Sequence, residues 1–413
     1  MRKWRVVGLF WGVQVITDMI RVSLAVVAPA LMTVYGISPG TMGIVLSGWQ
    51  WTYVGVLPLA GPIVDRFGAW MVLGVGSGIW GLATLALPLA GGSAVALFLM
   101  RALYGFGHCV RFPAQAWSIV RWFNSNERAM GVGVCFSGGQ VGLAIGTMIS
   151  AFILVQLGWQ EVFYIFGIVS LSFTVLWFFT YPEKKIGGQE PMTEVLSEPE
   201  QARISWSSLW RHRSVWGIIF GQLGYLYAYF FFMTWWPSYL IMERNLTIPE
   251  TGLFASLPFL MGMFGTIGGG WMGDYLIRRG FSRTASRKTM IGTGLTLVTI
   301  TMVAAAFAPR TWMSVTLLTL CMGCMRLVTA SANSAPMDLA PPTLVASLTS
   351  IQNSIGTISS LLVSILTGYI VEVTGTFVPA LLLAGGMALM GAISYVVVVE
   401  RFETLPVNLV SGQ

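Results

Sequence analysis

Four arginines, Arg21, Arg101, Arg111 and Arg326, lie well inside long apolar runs, and one acid, Asp18, lies at comparable depth. A charged side chain at a bilayer centre costs about 2.5–3.5 kcal/mol on the insertion scale, so four cost on the order of 10 kcal/mol. Such residues face a bundle interior or a wet cavity and mark the path of an ion or substrate. A guanidinium is always protonated and offers a planar fork of donors that suits carboxylate, phosphate or sulfonate. The cavity is therefore expected to be positive and its passenger negative.

Each residue carries a functional and a plainer reading. Arg21 sits about fifteen residues into its run, near mid-bilayer at roughly 1.5 Å per residue. There it grips an acid group of the substrate, or pairs structurally with Asp18 one turn away. Asp18 is correspondingly a proton carrier or a partner for an arginine. Arg101, His108 and Arg111 are expected on one face of a single helix, since a seven-residue step drifts only about 20°. Arg101 lies nearer the outer end, where its stem would let it snorkel; Arg111 is at mid-depth. His108 is the one histidine inside an apolar run. It is either a hydrogen-bonded interior ring or a proton carrier with an ordinary pKa of about 6.5. Neighbouring arginines favour the neutral ring and a bound anion the protonated one, which links anion entry to proton uptake. Arg326, about fifteen residues into a later run, opposes Arg21 and Arg111 from the other end of the chain. A second acid group, a sulfonate or an aromatic acid would each explain it. Tyr53 can donate a hydrogen bond; Gln140, Ser331, Asn333 and Asn353 are candidate polar lining. The aromatics Tyr225, Tyr227, Tyr229, Trp235 and Trp236 read mainly as packing or interface belt.

The elements that must position these groups are membrane helices. The chain has 413 residues, 55% hydrophobic and 9% charged, with mean hydropathy +0.74. That composition excludes a soluble domain of this size. Twelve apolar runs are long enough for a hydrocarbon core of about 30 Å: 7–34, 40–63, 69–91, 94–120, 128–156, 159–181, 214–240, 248–273, 286–308, 311–337, 343–371 and 376–399. The polar stretch 182–213 divides them six and six and reads as a cytoplasmic linker. The expected fold is an all-α membrane protein of twelve transmembrane helices in two pseudo-symmetric six-helix bundles. Residues 1–181 form the first bundle, and 214–413 the second with a short cytoplasmic tail. The net charge is +7, yet no basic stripe lies on a soluble domain, so nucleic acid is not an expected partner. Of 23 basic residues, the four intramembrane arginines apart, only Arg244 and Arg310 fall on the far side. That bias puts both termini and the linker in the cytoplasm. The opening Met-Arg-Lys-Trp-Arg leads straight into an apolar run with no small-residue cleavage site, as a first membrane helix does. Gly138, Gly142 and Gly146 repeat every four residues, as in a close helix–helix contact. Cys109, Cys135, Cys321 and Cys324 read as packed small hydrophobes. No metal-ligand spacing, cofactor fingerprint or Ser-His-Asp set is present, so neither metal, cofactor nor catalytic residue is expected.

An internal repeat supports the two halves. Gly61-Pro62-Ile63-Val64-Asp65-Arg66-Phe67-Gly68 follows the second run. Gly270-Trp271-Met272-Gly273-Asp274-Tyr275-Leu276-Ile277-Arg278-Arg279 follows the eighth. With the six-plus-six plan, these motifs resemble the major facilitator superfamily; Ala69 stands where its motif has a basic residue. A narrower likeness spans residues 14 to 372. It runs through Arg21-Val22-Ser23-Leu24-Ala25, Trp51-Thr52-Tyr53, Asp65-Arg66-Phe67-Gly68 and Arg101-Ala102-Leu103-Tyr104-Gly105-Phe106-Gly107-His108. It continues through Phe112-Pro113, Arg121-Trp122-Phe123, Glu127-Arg128, Thr234-Trp235-Trp236-Pro237-Ser238-Tyr239 and Asp338-Leu339-Ala340-Pro341. Together these resemble the anion:cation symporter family, which includes hexuronate, galactonate, sialic acid, glutamate and phthalate-type transporters. The resemblance implies that Arg21 and Arg101 touch substrate. The family's two proton-coupling acids are replaced here, by Ile20 and by His108.

The expectation is a secondary active transporter, not an enzyme, importing a carboxylate or related acid by alternating access. Its partners are a small organic anion, protons and the bilayer of the cell (inner) membrane, and it is expected as a monomer. Arg21, Tyr53, Arg101, Arg111, Arg326 and Asn353 would bind substrate, and His108 and Asp18 would couple protons. Asp65, Arg66, Arg121, Glu127, Arg128 and Asp274 would form the inner gate. The alternative is anion/anion exchange, and a third reading is a transporter-like nutrient receptor.

Overall fold

The computed structural model describes residues 2–123, 128–181, 210–340 and 345–403. Most of the expected linker, 182–209, lies outside these. The described chain is helical from end to end: α1 Arg2–Tyr35, α2 Pro39–Ala86, α3 Ala94–His108, α4 Arg111–Trp122, α5 Arg128–Gln156 and α6 Trp159–Thr180. Then follow α7 Arg213–Thr234, α8 Trp236–Met242, α9 Ile248–Arg278, α10 Arg283–Ala306, α11 Thr311–Leu339, α12 Val345–Thr374 and α13 Val378–Ile393. Among the described residues, eleven stretches are long and apolar enough to cross a membrane. One of them, Leu59–Ala90, runs through Gly68, whose φ of 77° is open to glycine and strained for other residues. The 48 residues of α2 would reach about 72 Å, over twice a hydrocarbon core, so Gly68 joins two crossings and the plan has twelve.

Two of the expected spans are broken. The run 94–120 is not one helix: α3 ends at His108 and α4 begins at Arg111. Pro113 cannot donate to the carbonyl of Cys109, and its ring crowds that carbonyl, so the turn opens there. The run 214–240 breaks at Trp235 for the same reason, with Pro237 following.

Glycine seams hold each bundle together. The Gly138–Gly142–Gly146 stripe of α5 lies on α1: a methyl at Gly138 would meet Trp11 O at 2.7 Å, and one at Gly146 would meet Met19 Cα at 2.7 Å. Gly142 meets the carbonyl of Val15 closer still. In the second bundle, Gly265 and Gly269 of α9 seat against the carbonyls of Gly323 and Leu327 of α11. The bundles meet at the end where α2 starts. Gly43 abuts the carbonyl of Ser364, and a methyl on Gly368 would lie 3.2 Å from Gly43 Cα. There Glu372 accepts from Ser38 Oγ (2.9 Å) and from the Gly40 backbone N–H (2.8 Å) at the N-terminus of α2. At the other end, which bears most of the basic residues, Asp65, Arg66, Arg278 and Arg279 are exposed. The two bundles are thus in backbone contact at the end where α2 starts.

Candidate functional site

α1 carries the centre of the site on one face. Gln14 and Asp18 are one turn apart, and Gln14 Nε2 donates to Asp18 Oδ2 at 2.7 Å. The other end of that amide, Oε1, accepts from Arg111 Nη1. A cation on one side and a carboxylate on the other fix the amide orientation. Asp18 in turn holds Arg21 in an ion pair of 2.5 Å. The Asp18 side chain is 2% exposed and that of Arg21 is 13%, so the arginine still reaches open space. Gly139 of α5 makes room for this chain: a methyl there would lie 2.6 Å from Asp18 Oδ2 and 2.9 Å from Gln14 Nε2. Arg21 also lies over Trp49, with Cζ 5.6 Å from the ring centre.

α3 adds Arg101, Tyr104 and His108, all buried. The Tyr104 hydroxyl donates to the Thr17 carbonyl at 2.9 Å, tying α3 to α1. Arg101 lies over one part of Tyr104, Cζ to centroid 5.3 Å, and His108 stacks on the ring at 5.6 Å. The Arg101 Nε finds no partner, and Arg101 lines a small cleft with Ile20, Thr84 and Phe163. It is buried among neighbours and does not reach the outer interface by its stem. His108 is caged by Trp49 (5.8 Å), Tyr53 (5.5 Å), Trp80 (6.3 Å) and Tyr104, and neither ring nitrogen has a hydrogen-bond partner. Arg111, Arg21 and Arg101 all lie within electrostatic reach of this ring. The helix break thus does not scatter the three α3–α4 residues. Tyr53 is half-buried beside His108.

From the second bundle, Arg326 of α11 donates through Nη2 to the Tyr229 hydroxyl at 2.7 Å and lies over that ring, Cζ to centroid 4.3 Å. Arg21 is within electrostatic reach of Tyr229, and Arg326 within reach of Asp18, so the two bundles face each other here. Of these four arginines, only Arg21 has a carboxylate partner among the described residues; Arg101, Arg111 and Arg326 have none. The cluster carries four guanidinium groups against one carboxylate among the described residues, as an anion site should.

Asn353 is exposed on α12, and its amide donates to Thr349 O in its own helix. Asp65 and Arg66 are exposed; Arg121 stacks on Trp117, Cζ to centroid 3.6 Å. No ion pair among the described residues joins these three. Glu127 lies outside the described residues, as do the side chains of Arg128 and Asp274. Sequence reasoning missed Gln14, Trp49, Tyr104 and Gly139. Only Gln14 had a legible signal, four residues before Asp18 on the same helix face. It also missed Asp338 as the anchor of Arg287 (3.1 Å) and Arg283 (3.7 Å) between α10 and α11. A groove of about 730 Å³ runs along α10 and α13 past Leu297, Leu389 and Val397; it is apolar, faces outward and holds none of the four arginines.

Known proteins share this design. The Major Facilitator Superfamily model matches residues 10–285. A D-galactonate transporter of Escherichia coli O6:H1 is 30% identical over 400 residues, covering 92% of this chain and 91% of its own. A hexuronate transporter of Bacillus subtilis (strain 168) is 29% identical over 386 residues, covering 92% and 91%. Among solved structures, a bacterial homolog of the human lysosomal transporter Spinster, inward-facing and occupied, superposes with a TM-score of 0.74 at 16% identity, covering 96% and 94%. At that identity the likeness is one of fold. Twelve crossings, paired loop motifs and a match over most of the chain agree: the chain belongs to the Major Facilitator Superfamily, a family of membrane transporters and not of enzymes.

Proposed function

We propose that the protein is a secondary active transporter that imports a small organic acid together with a proton. Residues 1–181 would rock against 214–413 about the arginine hollow, as a monomer in the cell (inner) membrane, with both termini and the linker 182–213 cytoplasmic. One observation carries the reading: four guanidinium groups lie close together where, among the described residues, the one carboxylate, Asp18, already occupies Arg21. An incoming carboxylate competes with Asp18 for the same fork. Protonating Asp18 removes that competitor, so anion and proton bind together. His108 offers a second place for the proton once an anion offsets the three arginines around it. The sugar-acid cargoes of the galactonate and hexuronate relatives support a hydroxylated carboxylate as passenger. Asp65, Arg66, Arg121, Glu127, Arg128 and Asp274 would close the cytoplasmic end when the outer end opens.

The test is thermal stabilisation of the purified protein by a panel of organic acids at two pH values, followed by uptake into proteoliposomes. A ligand that binds only the folded state raises the melting temperature. A stabilising acid whose effect disappears in Arg21→Ala supports the site. Stabilisation unchanged in that variant refutes it. Uptake driven by an imposed pH gradient separates symport from exchange, which instead needs an anion inside.

A further inference from the structure

The second bundle presents more than one loose charge. Arg326 donates through Nη2 to Tyr229 and lies within reach of the Tyr225 hydroxyl, while its Nε is buried with no partner. Because Tyr229 Oη accepts from Arg326, the proton of that hydroxyl is left to donate elsewhere. Fork and hydroxyl thus offer donors side by side, which suits the two oxygens of one acid group. Gly262 of α9 brings a neighbour: a methyl there would lie 3.2 Å from Arg326 Cγ and 3.4 Å from Gln140 Oε1 of α5. Gln140 Oε1 is itself buried without a partner, an acceptor suited to a hydroxyl. Across the hollow the first bundle has its own acid seat at Arg21, with Arg111 held close by Gln14.

A cargo with one acid group would neutralise one bundle and leave the other guanidinium buried and uncompensated. A buried cation without its counter-charge is destabilising. A cargo with an acid group at each end compensates both bundles and ties them together as the hollow closes. We infer that the protein selects a small hydroxylated dianion, with one carboxylate on the Arg21 side and the second on Arg326 and Tyr229. Arg326 is then the residue that separates diacids from monoacids. The inference rests on the proposed anion site and names its substrate class.

The experiment compares a six-carbon sugar monoacid with the diacid of the same chain length, by thermal shift and by competition for uptake, in the wild type, Arg326→Gln and Arg21→Ala. The wild type is expected to bind the diacid roughly tenfold more tightly or better, the scale of one charge-assisted contact. In Arg326→Gln the preference should fall to within about twofold while monoacid binding persists, which also shows that the variant folds. A wild type that binds both acids equally overturns the inference, as does an Arg326→Gln variant that keeps the full preference or loses both acids alike. If neither acid binds the wild type, or if Arg21→Ala leaves both untouched, the anion site itself is wrong and the inference falls with it.

Discussion

Replacing Asp18 by Asn isolates the competition on which coupling depends. The Asp18–Arg21 contact of 2.5 Å corresponds to a raw attraction of about 7 kcal/mol at an effective dielectric constant of about 20. Desolvation of the two ions offsets much of this, and breaking a buried pair typically costs about 3–5 kcal/mol. Arg21 is 13% exposed and can recruit water, so the lower end of that range applies to the ligand-free protein. The Asn oxygen can still accept from Gln14 Nε2, which spares the rest of the chain to Arg111. The freed guanidinium is then available to the cargo, and a hydrogen bond to a charged group is worth about 1.5–3 kcal/mol, or roughly 10- to 150-fold in affinity. Asp18→Asn should therefore lower the melting temperature without ligand yet bind the organic acid at least tenfold more tightly at neutral pH. Isothermal titration at neutral pH reads the affinity, and a thermal melt reads the stability. Weaker anion binding by the variant would refute the competition.

His108→Gln should bind the acid but lose the part of uptake that a pH gradient drives, measured in proteoliposomes with and without the gradient; intact gradient-driven uptake would remove His108 from the proton path. Gly139→Ala places a methyl 2.6 Å from Asp18 Oδ2 and should cost about 1–3 kcal/mol of stability with a parallel loss of acid binding. Gly133→Ala on the same helix, where nothing lies within 4 Å, is the control and should behave as wild type in both readouts.

The outline of the fold was legible because each crossing must satisfy its backbone internally, which writes every span into the sequence as an uninterrupted apolar run. The arginines were legible because charge is so costly at that depth. What stayed hidden depended on contacts between distant segments. Nothing local in Gly139 says that α5 passes beside Asp18, or in Tyr104 that its hydroxyl ends on the Thr17 carbonyl. The break between His108 and Arg111 had a local cause in Pro113, yet the unbroken hydropathy of 94–120 masked it.

The closure at the start of α2 has a bearing on turnover. Glu372 is answered there by a helix terminus, about half a unit of positive charge, and among the described residues by no cation. Such a contact is worth roughly 0.3–1 kcal/mol, and the glycines beside it add close backbone contact without interlocking side chains. This contact by itself therefore resists separation of the bundles only weakly. In the proposed transport cycle it would part and re-form at each turnover, at little cost to either orientation.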